Sequence, residues 1–91
     1  MVNLKNKKLR FISELMKEME EQTSIADGFD DAILGVTHEP PYRVIYDYEK
    51  CIKVLMKQNK WKRDEAKEYM EFNVVCSAMG EISPLFIRYC D

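Results

Sequence analysis

Three carboxylates fall within five residues of the chain, at Asp27, Asp30 and Asp31, and Glu49 is a candidate fourth if the fold brings it near. Clustered oxygens are the chemistry that holds Ca²⁺ or Mg²⁺. The spacing is not that of an EF-hand loop, which needs ligands at alternate positions and a closing Glu. The same residues also read as a solvated turn, with Gly28 free to take φ > 0 and Phe29 between them as a core anchor. A metal-binding or enzymatic role for Asp27–Asp31 therefore ranks last among the functional readings, and no metal ligand, cofactor or catalytic residue is assigned.

His38 is the one histidine, and no Cys-x-x-Cys pair accompanies it, so a transition-metal site lacks its soft ligands. Its neighbours Pro40 and Pro41 place it in an exposed loop. The three cysteines, Cys51, Cys76 and Cys90, are odd in number and widely spaced, which is not a secreted disulfide framework. Cys51 and Cys76 fall on apolar helix faces and read as small hydrophobes. Cys90, near the end of the sequence, reads as an exposed thiol. No Ser-His-Asp set, phosphate-binding glycine loop or nucleotide fingerprint is present.

The one basic and aromatic patch comprises Lys57, Lys60, Lys62, Arg63 and Lys67 around Trp61. Tryptophan and arginine are enriched where interfaces draw their affinity. The patch suits an acidic protein surface or a phosphate backbone. Trp61 reads either as such an anchor or as a lid folded onto the core. Asn73, amid apolar neighbours, reads as a buried amide tied to backbone. Tyr42, Tyr46 and Tyr48, with Glu81, are candidates to line a small pocket.

The elements that position these groups follow from periodicity. Leu9, Ile12, Leu15, Met16 and Met19 recur at helical spacing, giving an amphipathic helix over about Leu4 to Gln22. Its lysines come first and its glutamates last, against the macrodipole, so the helix depends on packing. Ala32 to Thr37 and Tyr42 to Tyr46 read as strands of an antiparallel hairpin. Asp47 caps a second helix with Tyr48, Cys51, Ile52, Leu55 and Met56 on its apolar face. A third helix runs from about Arg63 to Met79. Its second half, apolar all round, is expected to be the central buried element, with Phe72 and Val75 in the core beside Leu55 and Gly80 beyond its end. Leu85 to Tyr89 supplies a third strand beside the hairpin. The fold class is α+β, a single small domain over 1–91 in the order α-β-β-α-α-β, with a peripheral helix in 1–24 and the α+β core in 27–90.

Bulk composition narrows the function. Fourteen basic against 16 acidic residues give a net charge of −2, too little of either sign for a dedicated nucleic-acid binder or a DNA mimic. An apolar fraction of 46% argues against disorder. No apolar run approaches the roughly 20 residues that span a bilayer, and the first residues lack a signal-peptide core. These features point to a soluble protein of the cytoplasm with no membrane partner.

Three stretches carry a resemblance: Asp27-Gly28-Phe29-Asp30-Asp31-Ala32-Ile33-Leu34-Gly35, Tyr46-Asp47-Tyr48-Glu49-Lys50-Cys51-Ile52, and Glu65-Ala66-Lys67-Glu68-Tyr69-Met70-Glu71-Phe72-Asn73 continuing to Gly80-Glu81 and Pro84-Leu85-Phe86-Ile87. Their order and spacing resemble a family of small, mostly uncharacterised proteins of bacteriophages and prophages, over about residues 27 to 87. That family usually carries a Gly-Ala pair and an aromatic where Cys76-Ser77-Ala78 stands, and a Ser or Thr where Lys62 opens the third helix. The resemblance implies a phage-like origin and no activity. The expectation is a non-enzymatic protein that binds a host protein or protein complex stoichiometrically in the host cytoplasm, as an inhibitor of a bacterial defence system such as an anti-CRISPR would. The alternative is a nucleic-acid or nucleotide-binding module using Lys57–Lys67. Either a monomer or a homodimer is compatible with the sequence.

Overall fold

Asn6 starts the first helix, α1 (Lys7–Met19), by accepting hydrogen bonds on its side-chain oxygen from the backbone of Lys8 at 2.9 Å and Leu9 at 3.2 Å. A computed structural model describes residues 6–75 and 80–90. Cys76, and the expected helix as far as Met79, lie outside those residues. One lysine at the start of α1 reaches the acidic turn: Lys8 Nζ donates to the Asp31 carbonyl at 2.8 Å. The helix ends where Glu20 takes a left-handed backbone, φ 56°. Glu20 N–H then donates to Lys17 and Glu21 N–H to Met16, the Schellman pattern. Leu9, Ile12 and Met16 bury their face in the common core, as the spacing predicts.

A 3₁₀ turn, Asp30–Ala32, leads into β1 (Ile33–Val36), which pairs antiparallel with β2 (Val44–Asp47). The pairing slips between Ile33 and Gly35. Leu34, at the bulge, is left exposed. In β2, Val44 and Tyr46 are fully buried and Ile45 and Asp47 only partly, the alternation expected of a one-faced sheet. Asp47 caps α2 (Tyr48–Asn59), accepting from Lys50 N–H at 3.3 Å, and Cys51, Ile52 and Leu55 face the core. Two helices then carry the chain back, so β3 (Leu85–Ile87) lies parallel to β2, with Tyr46 opposite Phe86. The result is an α+β fold in the expected order, with a mixed three-stranded sheet ordered β1-β2-β3.

The third helix differs from its expectation. α3 spans only Arg63–Tyr69 and passes into a π-helical segment, Met70–Val75. Phe72, expected in the core, is 71% exposed, and Val75 is half-buried. The anchors of this helix are Ala66 and Met70, both fully buried. On an ideal helix the residue two beyond Met70 points to the opposite side. Val74, four residues beyond Met70, keeps to Met70's side and packs against the core, while the wider i→i+5 turn carries Asn73 off that face to the exposed rim. The segment is thus apolar all round without being central. The core belongs to Tyr46, Ile52, Met70, Val44 and Cys51.

Candidate partner-binding cleft

The cleft is built where the chain leaves α2. Lys60 takes a left-handed backbone, φ 55°, and Trp61 N–H donates to the Met56 carbonyl at 3.2 Å. The indole that follows is half-buried and packs against the core. The Tyr69 ring, from the end of α3, lies 5.4 Å from it at 49°. Facing this aromatic pair is the loop Ser24–Phe29, fastened at two points: Ser24 N–H donates to Ile82 O at 3.2 Å and Ala26 N–H to the Tyr46 hydroxyl at 2.7 Å. Between them lies an open cleft of about 610 Å³, floored by Leu55 and Phe86 and edged by the amides Gln58, Asn59 and Asn73. That volume is in the range that receives a ligand or an anchoring side chain.

Trp61 packs against the core and still presents surface to the cleft. Of the basic residues around it, Lys57, Lys60, Lys62 and Lys67 are exposed and make no side-chain ion pair among the described residues. Arg63 is committed elsewhere, donating two hydrogen bonds to the Glu49 carboxylate at 2.7 and 2.8 Å. These bonds hold the Glu49 pKa below its usual range and raise that of Arg63. Lys62 opens α3 with its backbone N–H, which donates to Glu65 Oε1 at 3.1 Å, while its side chain caps nothing.

The acidic turn is not a four-carboxylate cluster. Glu49 sits with Arg63 and, at 3.4 Å, Arg88. Asp31 accepts from Asn6 Nδ2 at 3.2 Å. No three His, Cys, Asp or Glu side chains among the described residues are grouped to hold a metal ion. Burial, and then the charges of Asp27 and Asp31, hold the Asp30 carboxyl above its ordinary range, and its Oδ1 is buried without a hydrogen-bond partner among the described residues. Among the described residues, Asp27 is the only carboxylate or amine lining the cleft.

The remaining candidates separate cleanly. His38 is exposed in the hairpin loop and Cys90 is exposed. Cys51 is fully buried, and burial pushes its thiol up to about 12, the opposite of what a nucleophile needs. Tyr42, Tyr46 and Tyr48 are core residues and line no part of the cleft, and Glu81 is exposed. Asn73, expected to be buried, is exposed at the cleft edge. Sequence reasoning missed Tyr69, Gln58, Asn59 and the Ser24–Phe29 wall. Gln58 and Asn59 had a local signal only as the end of the second helix, and Asp27 to Phe29 only as an acidic turn with a core anchor.

No helix among the described residues is long and apolar enough to cross a membrane. No protein-family model, curated protein or solved structure matches the chain.

Proposed function

We propose that the protein acts without catalysis, by stoichiometric binding to a host protein or protein complex through the Trp61 cleft, in the manner of a small phage protein that blocks a bacterial defence system. The observation that carries the reading is Trp61 itself, a half-buried indole forming one wall of an open cleft of about 610 Å³. Tryptophan in such a setting typically contributes far more to association than its neighbours. Lys57, Lys60 and Lys62, without ion-pair partners among the described residues, suit a rim that meets acidic residues on the partner. The phage-like origin rests on the resemblance alone.

A second reading has one observation in its favour. Ring pairs beside lysines, as Trp61 and Tyr69 stand beside Lys60 and Lys62, are also the platform on which single-stranded nucleic acids stack. Asp27 on the cleft wall opposes it.

Affinity capture from host lysate with mass spectrometry identifies the partner, and Trp61→Ala then tests the site. The expected result is a loss of about 2 kcal/mol or more in affinity for the folded protein. Because Trp61 also packs on the core, affinity and thermal midpoint are measured on the same variant. A lowered midpoint with unchanged affinity of the folded fraction retires the cleft as the binding site. Nucleic acid in the eluate, without a stoichiometric protein, selects the second reading.

A further inference from the structure

We infer that the cleft receives an arginine side chain presented by the protein partner. The inference rests on the cleft being the binding site and names what enters it. A guanidinium carries five N–H donors and no acceptor, and its plane stacks on aromatic faces. The cleft offers the complement. Among its described lining residues the one charged group is the Asp27 carboxylate, and the rings are Phe29, Trp61, Tyr69 and Phe86. Asn59 spends its amide nitrogen on the Leu55 carbonyl at 3.1 Å, which leaves its carbonyl oxygen as an open acceptor, and Gln58 adds a second.

The protein already satisfies this chemistry once within itself. Arg88 lies over the Tyr48 ring at 5.2 Å from its centre, with the Glu49 carboxylate 3.4 Å away. Aromatic face plus carboxylate thus holds a guanidinium at one place in the fold. The Trp61 cleft repeats the combination with Asp27 in place of Glu49 and has no cation of its own among the described residues. An anionic occupant is disfavoured inside the cleft by the Asp27 carboxylate, the charged group among its described lining residues. A purely apolar anchor would leave the carboxylate and both amides unsatisfied on closure.

The test uses N-acetyl-arginine amide as the probe on the full chain. Trp61 is the only tryptophan, so its emission reports the cleft directly. A saturable change with a dissociation constant on the order of 1 mM is expected for a ligand of this size. The neutral isostere N-acetyl-citrulline amide should bind at least about tenfold more weakly. Asp27→Asn should weaken the arginine probe about tenfold and leave the citrulline probe unchanged. Its thermal midpoint, measured alongside, should not fall, because the exposed Asp27 side chain makes no hydrogen bond among the described residues. Equal binding of arginine and citrulline probes, indifference to Asp27→Asn, tighter binding of AMP, or no saturable change up to about 50 mM each overturns the inference. If the probe fails while Trp61→Ala still abolishes partner binding, the cleft remains the interface and only the arginine is lost.

Discussion

Glu20 sits at the end of α1 with φ 56°, a backbone region that costs a residue bearing a Cβ roughly 1–2 kcal/mol. Its exposed side chain gains nothing from the position, and a carboxylate at a helix C-terminus faces the wrong end of the dipole. Glu20→Gly should therefore raise stability by about 1 kcal/mol, read as a higher denaturant midpoint with an unchanged slope. Lys62 is a similar case at a helix start. Glu65 supplies one half of a capping box, and Lys62 cannot supply the other. Lys62→Ser, the residue type the phage-like pattern usually has there, should complete the box and add about 1 kcal/mol. Asp30 adds a pH dependence. Burial holds its folded-state pKa above the ordinary 3.8, so the folded protein binds the proton more tightly than the unfolded chain. The associated stability is full below the ordinary value and is lost as pH rises through the folded value. Asp30→Asn should consequently be more stable than the parent at pH 7, and the difference should vanish in acid, below about pH 4. Thermal midpoints of both proteins across that range check the sign.

At the scale of elements, the turn from α3 into the π-helical Met70–Val75 decides which apolar residues count. Met70 is fully buried and Phe72 is 71% exposed. Met70→Ala should cost about 2–5 kcal/mol. Phe72→Ala should stay within about 0.5 kcal/mol, like other surface changes. Reversal of that order in urea melts would restore the straight, central helix that the composition suggested. The elements legible in the sequence were those with local signals: the Asp47 cap, the alternation through Val44 and Tyr46, and the stripe Leu9, Ile12 and Met16. Direction and depth were not local. β3 is parallel to β2 because two helices intervene, and Phe72 is outside because Ala66 and Met70 set the phase of its helix. Trp61 and its lysines were visible for the same local reason. The opposite wall of the cleft was not, because hydrogen bonds from Ser24 to Ile82 and from Ala26 to the Tyr46 hydroxyl hold it in place across long stretches of chain.

For the whole molecule, a net charge of −2 conceals two local fields of opposite sign. Asp27, Asp30 and Asp31 stand on the loop side of the cleft, while Lys57, Lys60 and Lys62 belong to the end of α2 and the start of α3. A partner that inserts a cation toward Asp27 and carries acidic residues around it would match both fields at once. Exposed rim charges act mainly on the encounter, whereas a group closed inside the cleft acts on escape. The two fields should thus separate kinetically. Reversing Lys60 and Lys62 together to Glu should slow association about tenfold at low salt and leave dissociation within about twofold. Arg63 is left intact because its reversal would break the pair with Glu49. At about 0.5 M salt, where the screening length falls to a few ångströms, the reversed protein and its parent should associate at nearly the same rate. Asp27→Asn should do the opposite, speeding dissociation with little change in association. Binding kinetics on an immobilised partner at two ionic strengths read all four quantities. Faster association of the lysine-reversed protein would mean that the partner's surface is basic throughout, and the rim lysines would then oppose docking.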